Sequence, residues 1–363
     1  MVQKNSRSVM GTMKESVQRT KNKYDTSKVH LSNIPPSFFD CYTDEGMTPT
    51  ELSAMFGVGK RTIRKWKKTI KDDIGFQRKV EMPDEINIDE LVVERVKKFE
   101  RKTIRKEAEK CFPIEVLKDG PIAIAHFGDP HVDDDGTNLG LLLKHAELVA
   151  NTDGMFGGNV GDVQNNWVGR LGRLYGEQST SAVESWKLTE HFIKMVPWLY
   201  LCGGNHDAWS GAGDPLEYMI GQPTVYQNHQ VRLNLIFPNK KEVRVNCRHN
   251  FKGHSQYNTA HGITKAAMLG WRDHILTAGH THVSGYQVLK DPMTGLISHA
   301  IRCASYKTYD RYAEQLGLAD QNIFECPVTI IDPQYDDNDS RLVTTVFDPF
   351  EAADYLTWKR SKK

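Results

Sequence analysis

The sequence predicts an α/β fold with a small all-α domain at its N-terminus. Three observations carry that prediction. From Pro121 onward, apolar runs of five or six residues alternate with longer stretches of helical character. Those runs end in Gly, Asp or His, which suit sharp turns and functional loops at strand ends. Ahead of them, residues 47–71 read as two short amphipathic helices.

The elements follow in order. Residues 1–45 form a basic arm and a lead-in, the first 30 or so rich in Lys, Ser, Asn, Gln and Thr and the rest carrying Pro35-Pro36. Residues 46–86 hold the helical pair and a linker over 72–86. Residues 87–120 connect the two parts. Within them, Leu91, Val92, Val96, Phe99 and Ile104 fall at loose helical spacing in a charge-dense segment, which predicts a long surface helix over 87–111. Residues 121–363 are the α/β domain. Its strands are expected at 122–127, 155–160, 198–203, 243–247 and 274–279. More strands are expected at 295–306, 328–332 and 341–347, with a frayed basic tail from Trp358.

Composition bounds the function. A chain of 363 residues has room for two or three domains. No run of about 18 apolar residues occurs, so no membrane span and no membrane partner is expected. The N-terminal stretch is polar, which argues against a secretory signal. The cysteines are scattered with no CxxC pair. That pattern fits a cytoplasmic protein and disfavours both a disulfide framework and a Cys-based zinc site. The net charge of +1 hides an asymmetry. Residues 1–120 carry 25 Lys and Arg against 19 Asp and Glu, whereas residues 121–363 carry 22 against 27. A basic front and an acidic body fit a polyanion partner for the front.

Chemistry-bearing side chains gather at the predicted strand ends. The first strand ends in Asp129-Pro130-His131, the second in Gly161-Asp162, the third in Gly204-Asn205-His206-Asp207, the fourth in Arg248-His249 and the fifth in Gly279-His280-Thr281-His282. In D-x-H and H-x-H, alternate residues point the same way, so both side chains can face one ion. If the five strands are parallel neighbours, their loops converge on one crevice. The mixed oxygen and imidazole donors suit Mn²⁺, Fe²⁺ or Zn²⁺ better than an all-oxygen Mg²⁺ or Ca²⁺ cage. The plainer alternative is a set of capping aspartates and core histidines.

These motifs, in this order across residues 121–310, resemble the calcineurin-like metallophosphoesterase superfamily. The resemblance implies an α/β/β/α sandwich. It implies a first metal on Asp129, His131 and His282, a second on Asn205, His249 and His280, and Asp162 bridging both. It also implies that the two ions, Mn²⁺ first among the candidates, hold and ionise a water that attacks phosphorus. His206 resembles the substrate-facing histidine, stabilising the transition state or protonating the leaving oxygen. Asp207 is expected to orient His206 through a hydrogen bond.

His254 competes with His249 for the fourth position and is otherwise a substrate-contact candidate; His249 is preferred because it directly follows a strand. His261 is a further competitor. The second motif continues as Val163-Gln164-Asn165-Asn166, and the third ends in Asp207. Both depart from the phosphoserine/threonine phosphatase pattern. Asn165 or Asn166 would cap the loop or touch substrate, and Asp133-Asp134-Asp135 reads as a solvated loop. Trp167, Arg170 and Arg173 would grip a phosphate and stack a base, or else form a solvated basic face.

In the front module, Thr48 or Thr50 caps the first helix, Gly57 makes the turn, and Leu52, Phe56, Ile63 and Trp66 face inward. Lys60, Arg61, Arg64, Lys65 and Lys68 line the outer face of the second helix. The arrangement resembles a helix-turn-helix, which implies contact with DNA phosphates. The expected function is a two-metal phosphodiesterase acting on DNA or another nucleic acid. The alternatives are a nucleotide or small-molecule phosphatase with an unrelated helical appendage, and a DNA-binding protein with a silent phosphoesterase domain.

Overall fold

The computed structural model describes residues 31–42, 47–74, 87–166, 178–207, 214–221, 223–255, 257–309, 317 and 322–362. The chain divides into two compact units, Met1–Val93 and Glu94–Lys363.

The first unit is helical where it is described. A 3₁₀ turn at Leu31–Asn33 leads to α1 (Pro36–Tyr42), α2 (Pro49–Phe56) and α3 (Lys60–Ile74). Thr48 caps α2: its hydroxyl accepts from Glu51 N–H, and the Glu51 carboxylate accepts in return from Thr48 N–H. Such a reciprocal cap contributes about 1 kcal/mol. Gly57 stops the helix at φ 64°, a left-handed conformation that suits glycine. Ser53 then ties the turn by donating to the Val58 carbonyl at 2.6 Å. Ile34, Phe38, Leu52, Ile63, Trp66 and Ile70 form the core, with Phe38 edge-on to Trp66 at 5.1 Å. Lys60, Arg61, Arg64, Lys65 and Lys68 are all exposed. The next helix, α4 (Ile88–Ala108), has no buried residue.

Glu94–Lys363 holds two six-stranded mixed sheets. In spatial order the first is β1 (Phe112–Glu115), β6 (Gln230–Ile236), β7 (Glu242–Arg248), β8 (Ile275–Ala278), β10 (Ile297–Arg302) and β9 (Gly285–Lys290). The second is β12 (Val343–Val346), β11 (Val328–Ile331), β2 (Ile122–Phe127), β3 (Met155–Asn159), β4 (Trp198–Gly203) and β5 (Val225–Asn228). The remaining helices are α5 (Leu139–Asn151), α6 (Ala182–Met195), α7 (Pro215–Met219), α8 (His261–Ala266) and α9 (Pro349–Ser361).

Strand alternation builds the layers. Ala123, Ala125 and Phe127 of β2 pack with Leu142 of α5, Phe192 of α6 and Leu356 of α9. Ile122 and Ile124 share a second cluster with Leu233, Val245 and Ile275 of the other sheet. Leu276, Ala278 and Ala300 pack instead with Ile263 of α8. The result is an α/β sandwich with apolar cores on both faces of each sheet.

The structure differs from the sequence expectation in three places. The five motif strands are not neighbours in one parallel sheet: β2, β3 and β4 are parallel neighbours in one sheet, while β7 and β8 are parallel neighbours in the other. The connecting segment 87–120 contains β1, which pairs in parallel with β6. The C-terminal tail is helical rather than frayed. Lys359 of α9 donates to Asp332 at 2.8 Å, and Arg360 donates to Asp153 and to the Pro121 carbonyl, both at 2.7 Å.

Candidate metal centre

Loops at the carboxyl ends of β2, β3, β4, β7 and β8 bring the expected side chains together. Their backbones are unusual. Among the described residues nine non-glycine positions have positive φ, and six lie in these loops: Asp129, His131, Asp162, Asn166, His280 and His282. Left-handed conformations at non-glycine residues cost energy, and they persist where surrounding structure enforces them. Two glycines allow the close approach. A side chain on Gly204 would collide with the Asp162 carboxylate, and one on Gly279 would come within 2.6 Å of Asp129 Oδ1.

His249 shows what the arrangement does. Its Nδ1 donates to the Val160 carbonyl at 3.1 Å. In the neutral ring that leaves a lone pair on Nε2. That nitrogen faces Asn205 Oδ1 at 2.8 Å, His280 Nδ1 at 3.0 Å and Asp162 Oδ2 at 3.2 Å. Asp162, His249 and His280 offer ligand atoms that all lie within 4.8 Å of one another.

A second group adjoins it. His131 Nε2 lies 3.1 Å from His282 Nε2, and His282 Nε2 lies 4.0 Å from Asp129 Oδ2. Asp129 Oδ1 and His131 Nδ1 are buried with no hydrogen-bond partner. Clustered lone pairs and an orphaned buried carboxylate oxygen are unfavourable alone and suit cations. The donor set therefore fits divalent metal. His280 and Asn205 are exposed, so the group opens to solvent on that side.

Burial pushes Asp129 up to about 6, with His249 and His282 pulling the other way. Burial would also raise Asp162, but His249, His206 and His131 outweigh it and hold that carboxylate well below the usual range. Burial lowers His131 well below its ordinary value and brings His280 to about 4. His249 is the exception: burial opposes protonation, yet Asp162 pushes it up to about 10.

His206 lies beside these groups. Its backbone N–H donates to Asp162 Oδ1 at 2.8 Å and its Nδ1 donates to the Asn165 carbonyl at 2.5 Å. Nε2 is left 4.0 Å from Asp162 Oδ2. The expected Asp207–His206 hydrogen bond is not what holds this ring. Asp207 is fully buried and accepts from Gly204 N–H at 2.7 Å and Val163 N–H at 2.9 Å. It fastens the β4 loop to the Asp162 loop. Burial, then the Asp162 charge, pushes its carboxyl upward.

His254 is exposed and lies outside the cluster, whereas His249 is within it. Asp133 and Asp134 are buried, so the solvated-loop reading fails for both. Asp133 accepts from Asn165 N–H at 2.7 Å, and Asp134 pairs with Lys307 at 3.0 Å. Together they anchor the segment that presents the carbonyl to His206. Trp167, Arg170 and Arg173 lie outside the described residues.

Sequence reasoning missed Arg302. This buried guanidinium donates to the Gly279 carbonyl at 2.7 Å, to Thr281 Oγ1 at 2.9 Å and to the Thr259 carbonyl at 2.7 Å. It fixes the His280–His282 loop from the end of β10. Its only signal in sequence is an arginine inside an apolar strand, which by itself does not name a partner.

No protein-family model matches the chain, and no curated protein matches it. No helix among the described residues is long and apolar enough to cross a membrane.

Proposed function

We propose that the chain is a metal-dependent phosphoesterase of the calcineurin-like type, with its sheets forming that superfamily's α/β/β/α arrangement, and that it hydrolyses phosphodiester bonds in nucleic acid. The observation that carries the proposal is the convergence on His249 Nε2 of Asp162, Asn205 and His280, with Asp129, His131 and His282 beside it. The second group would hold one divalent cation, Asn205, His249 and His280 a second, and Asp162 both. Two cations there would ionise water near neutral pH and neutralise charge on phosphoryl oxygens.

The chain's own groups do the rest. Val160 and Asn165 carbonyls fix the tautomers of His249 and His206. With its Nδ1 proton held by the Asn165 carbonyl, His206 carries a proton on Nε2 only as the imidazolium, and in that form Nε2 would donate to the leaving oxygen. The exposed basic face of α3 supports a nucleic-acid substrate or anchor. The proposal is tested with Mn²⁺ and a substrate panel: single- and double-stranded DNA, RNA, a chromogenic bis-ester and the matching mono-ester. Metal-dependent cleavage of bis-ester and a nucleic acid is expected. Turnover of the mono-ester alone would favour a small-molecule phosphatase, and no turnover of any substrate would favour a silent domain.

A further inference from the structure

The outer face of the first sheet, away from the metal centre's side chains, carries an unusual arginine. Val231, Leu233 and Leu235 of β6 and Val243, Val245 and Cys247 of β7 point into the core between the sheets. Their alternates therefore face outward: Arg232 on β6, and Arg244, Asn246 and Arg248 on β7. In register, Arg232 sits opposite Asn246, and Gln230 opposite Arg248.

Most of these side chains are fully employed. Asp273, buried completely, accepts from Arg232 Nε and Nη2 at 2.9 and 2.8 Å, from Arg244 Nε at 3.0 Å and from Asn246 Nδ2 at 2.9 Å. One carboxylate thus holds two guanidinium groups in fixed positions. Arg248 differs. Its guanidinium lies 4.6 Å from the Trp271 ring centre and 5.6 Å from that of Phe251, and Arg232 lies over the same Trp271 at 5.2 Å. No described residue gives Arg248 a carboxylate or carbonyl partner, and its buried Nε has no hydrogen bond. Of the three guanidinium groups on this face, two are held by the one carboxylate, and the third, that of Arg248, is preoriented by aromatic packing with its Nε unbonded. A planar fork in that state is suited to a phosphate. Trp271 itself is 38 % exposed, at the end of a π-helical turn (Ala267–Trp271) that also exposes Leu269.

Position adds the direction. Arg248 is the last residue of β7, and the next residue is the metal-cluster histidine, His249. Successive strand residues point to opposite faces with Cα atoms about 3.8 Å apart. Arg248 and His249 therefore lie on opposite faces of the sheet at one strand end, which sets a phosphate held at Arg248 near the end of the sheet that carries the metal cluster.

We infer that Arg248, stacked on Trp271 beside Arg232, is a backbone-phosphate subsite that holds a polynucleotide strand outside the metal centre. The choice of ligand rests on the phosphodiesterase reading. Arg248 is a positioning residue: it touches a phosphate that does not react.

The test reads binding without turnover, which separates it from the catalytic proposal. Affinity for short fluorescein-labelled single-stranded DNA is measured by anisotropy, in chelator and at low salt. The full-length chain is used, with Lys60, Arg61, Arg64, Lys65 and Lys68 changed to Gln so that α3 does not mask the subsite. Binding is expected in that background. Arg248→Met, which keeps an aliphatic stem on Trp271, should weaken it about 5- to 10-fold and reduce the salt dependence by about one phosphate contact. Arg248→Lys, which keeps the charge and loses the fork, should fall between. Equal thermal unfolding of the variants excludes a folding defect. Unchanged affinity in both variants, or no binding in the α3-neutralised background, overturns the inference. Inorganic phosphate at matched ionic strength should compete weakly; complete displacement at low concentration would mark a free-anion site and overturn the polynucleotide assignment.

Discussion

His249 Nε2 lies 3.2 Å from Asp162 Oδ2, while the opposite nitrogen of the same ring is held by the Val160 carbonyl. The ring cannot turn away from the carboxylate without breaking a buried hydrogen bond. In metal-free protein the two groups form an ion pair; with metal they would be ligands.

That relationship sets a pH dependence. Burial disfavours the charged ring, but Asp162 pushes His249 from 6.5 up to about 10. A group whose folded pKa is raised contributes its stability in full below the unfolded value and loses it as pH rises through the folded one. Metal-free protein should therefore lose stability from pH 6.5 toward about 10. His249→Gln should flatten that slope. Thermal unfolding in chelator across this range checks it; parallel slopes for the two proteins would contradict the ion pair. Metal affinity should rise through the same window, because binding requires the ring to lose its proton.

His206→Ala should lower kcat by roughly 10²–10⁴-fold, the usual range for a proton-transfer residue. Its KM for a small bis-ester should change little. The loss should shrink for an ester whose leaving group is already acidic, since less protonation is needed. A uniform loss across leaving groups would assign His206 to positioning instead.

Asp207→Ala should cost about 2–5 kcal/mol, because it leaves the buried N–H groups of Gly204 and Val163 unpaired. Urea denaturation measures this. An effect on turnover with no change in unfolding would place Asp207 in the chemistry rather than in the loop.

Changing Lys60, Arg61, Arg64, Lys65 and Lys68 to Gln should weaken DNA binding and lower its salt dependence, each lost phosphate contact contributing about 0.9 to the slope. Hydrolysis of a small chromogenic ester should be unaffected. Unaltered DNA affinity at low salt would remove α3 from recognition.

Much of the candidate centre was legible because glycine beside Asp or His at a strand end is a local pattern. Asp129, His131, Asp162, Asn205, His249, His280 and His282 all reach one cluster from five separate loops. What supports them was not legible. Asp133 and Asp134 read as solvated carboxylates and Asp207 as the partner of His206, and only the tertiary fold shows the backbone N–H groups and Lys307 that receive them. Arg302 contacts residues 21 to 43 positions earlier in the chain, a pairing that no spacing encodes. Strand positions were readable from apolar runs, yet β6 was missed because its alternating Val231, Leu233 and Leu235 are interleaved with Arg and Asn. The division of the strands between two sheets depends on pairing register, and periodicity carries no information about that.

The cluster around Asp162 is expected to hold two divalent cations. Elemental analysis of the purified chain after Mn²⁺ loading and removal of free metal tests it most directly, with Asp162→Asn alongside. The expected result is close to two ions per chain, falling below one in Asp162→Asn together with loss of bis-ester hydrolysis. An absence of bound metal in the loaded parent chain, or equal metal content in parent and variant, would contradict the account.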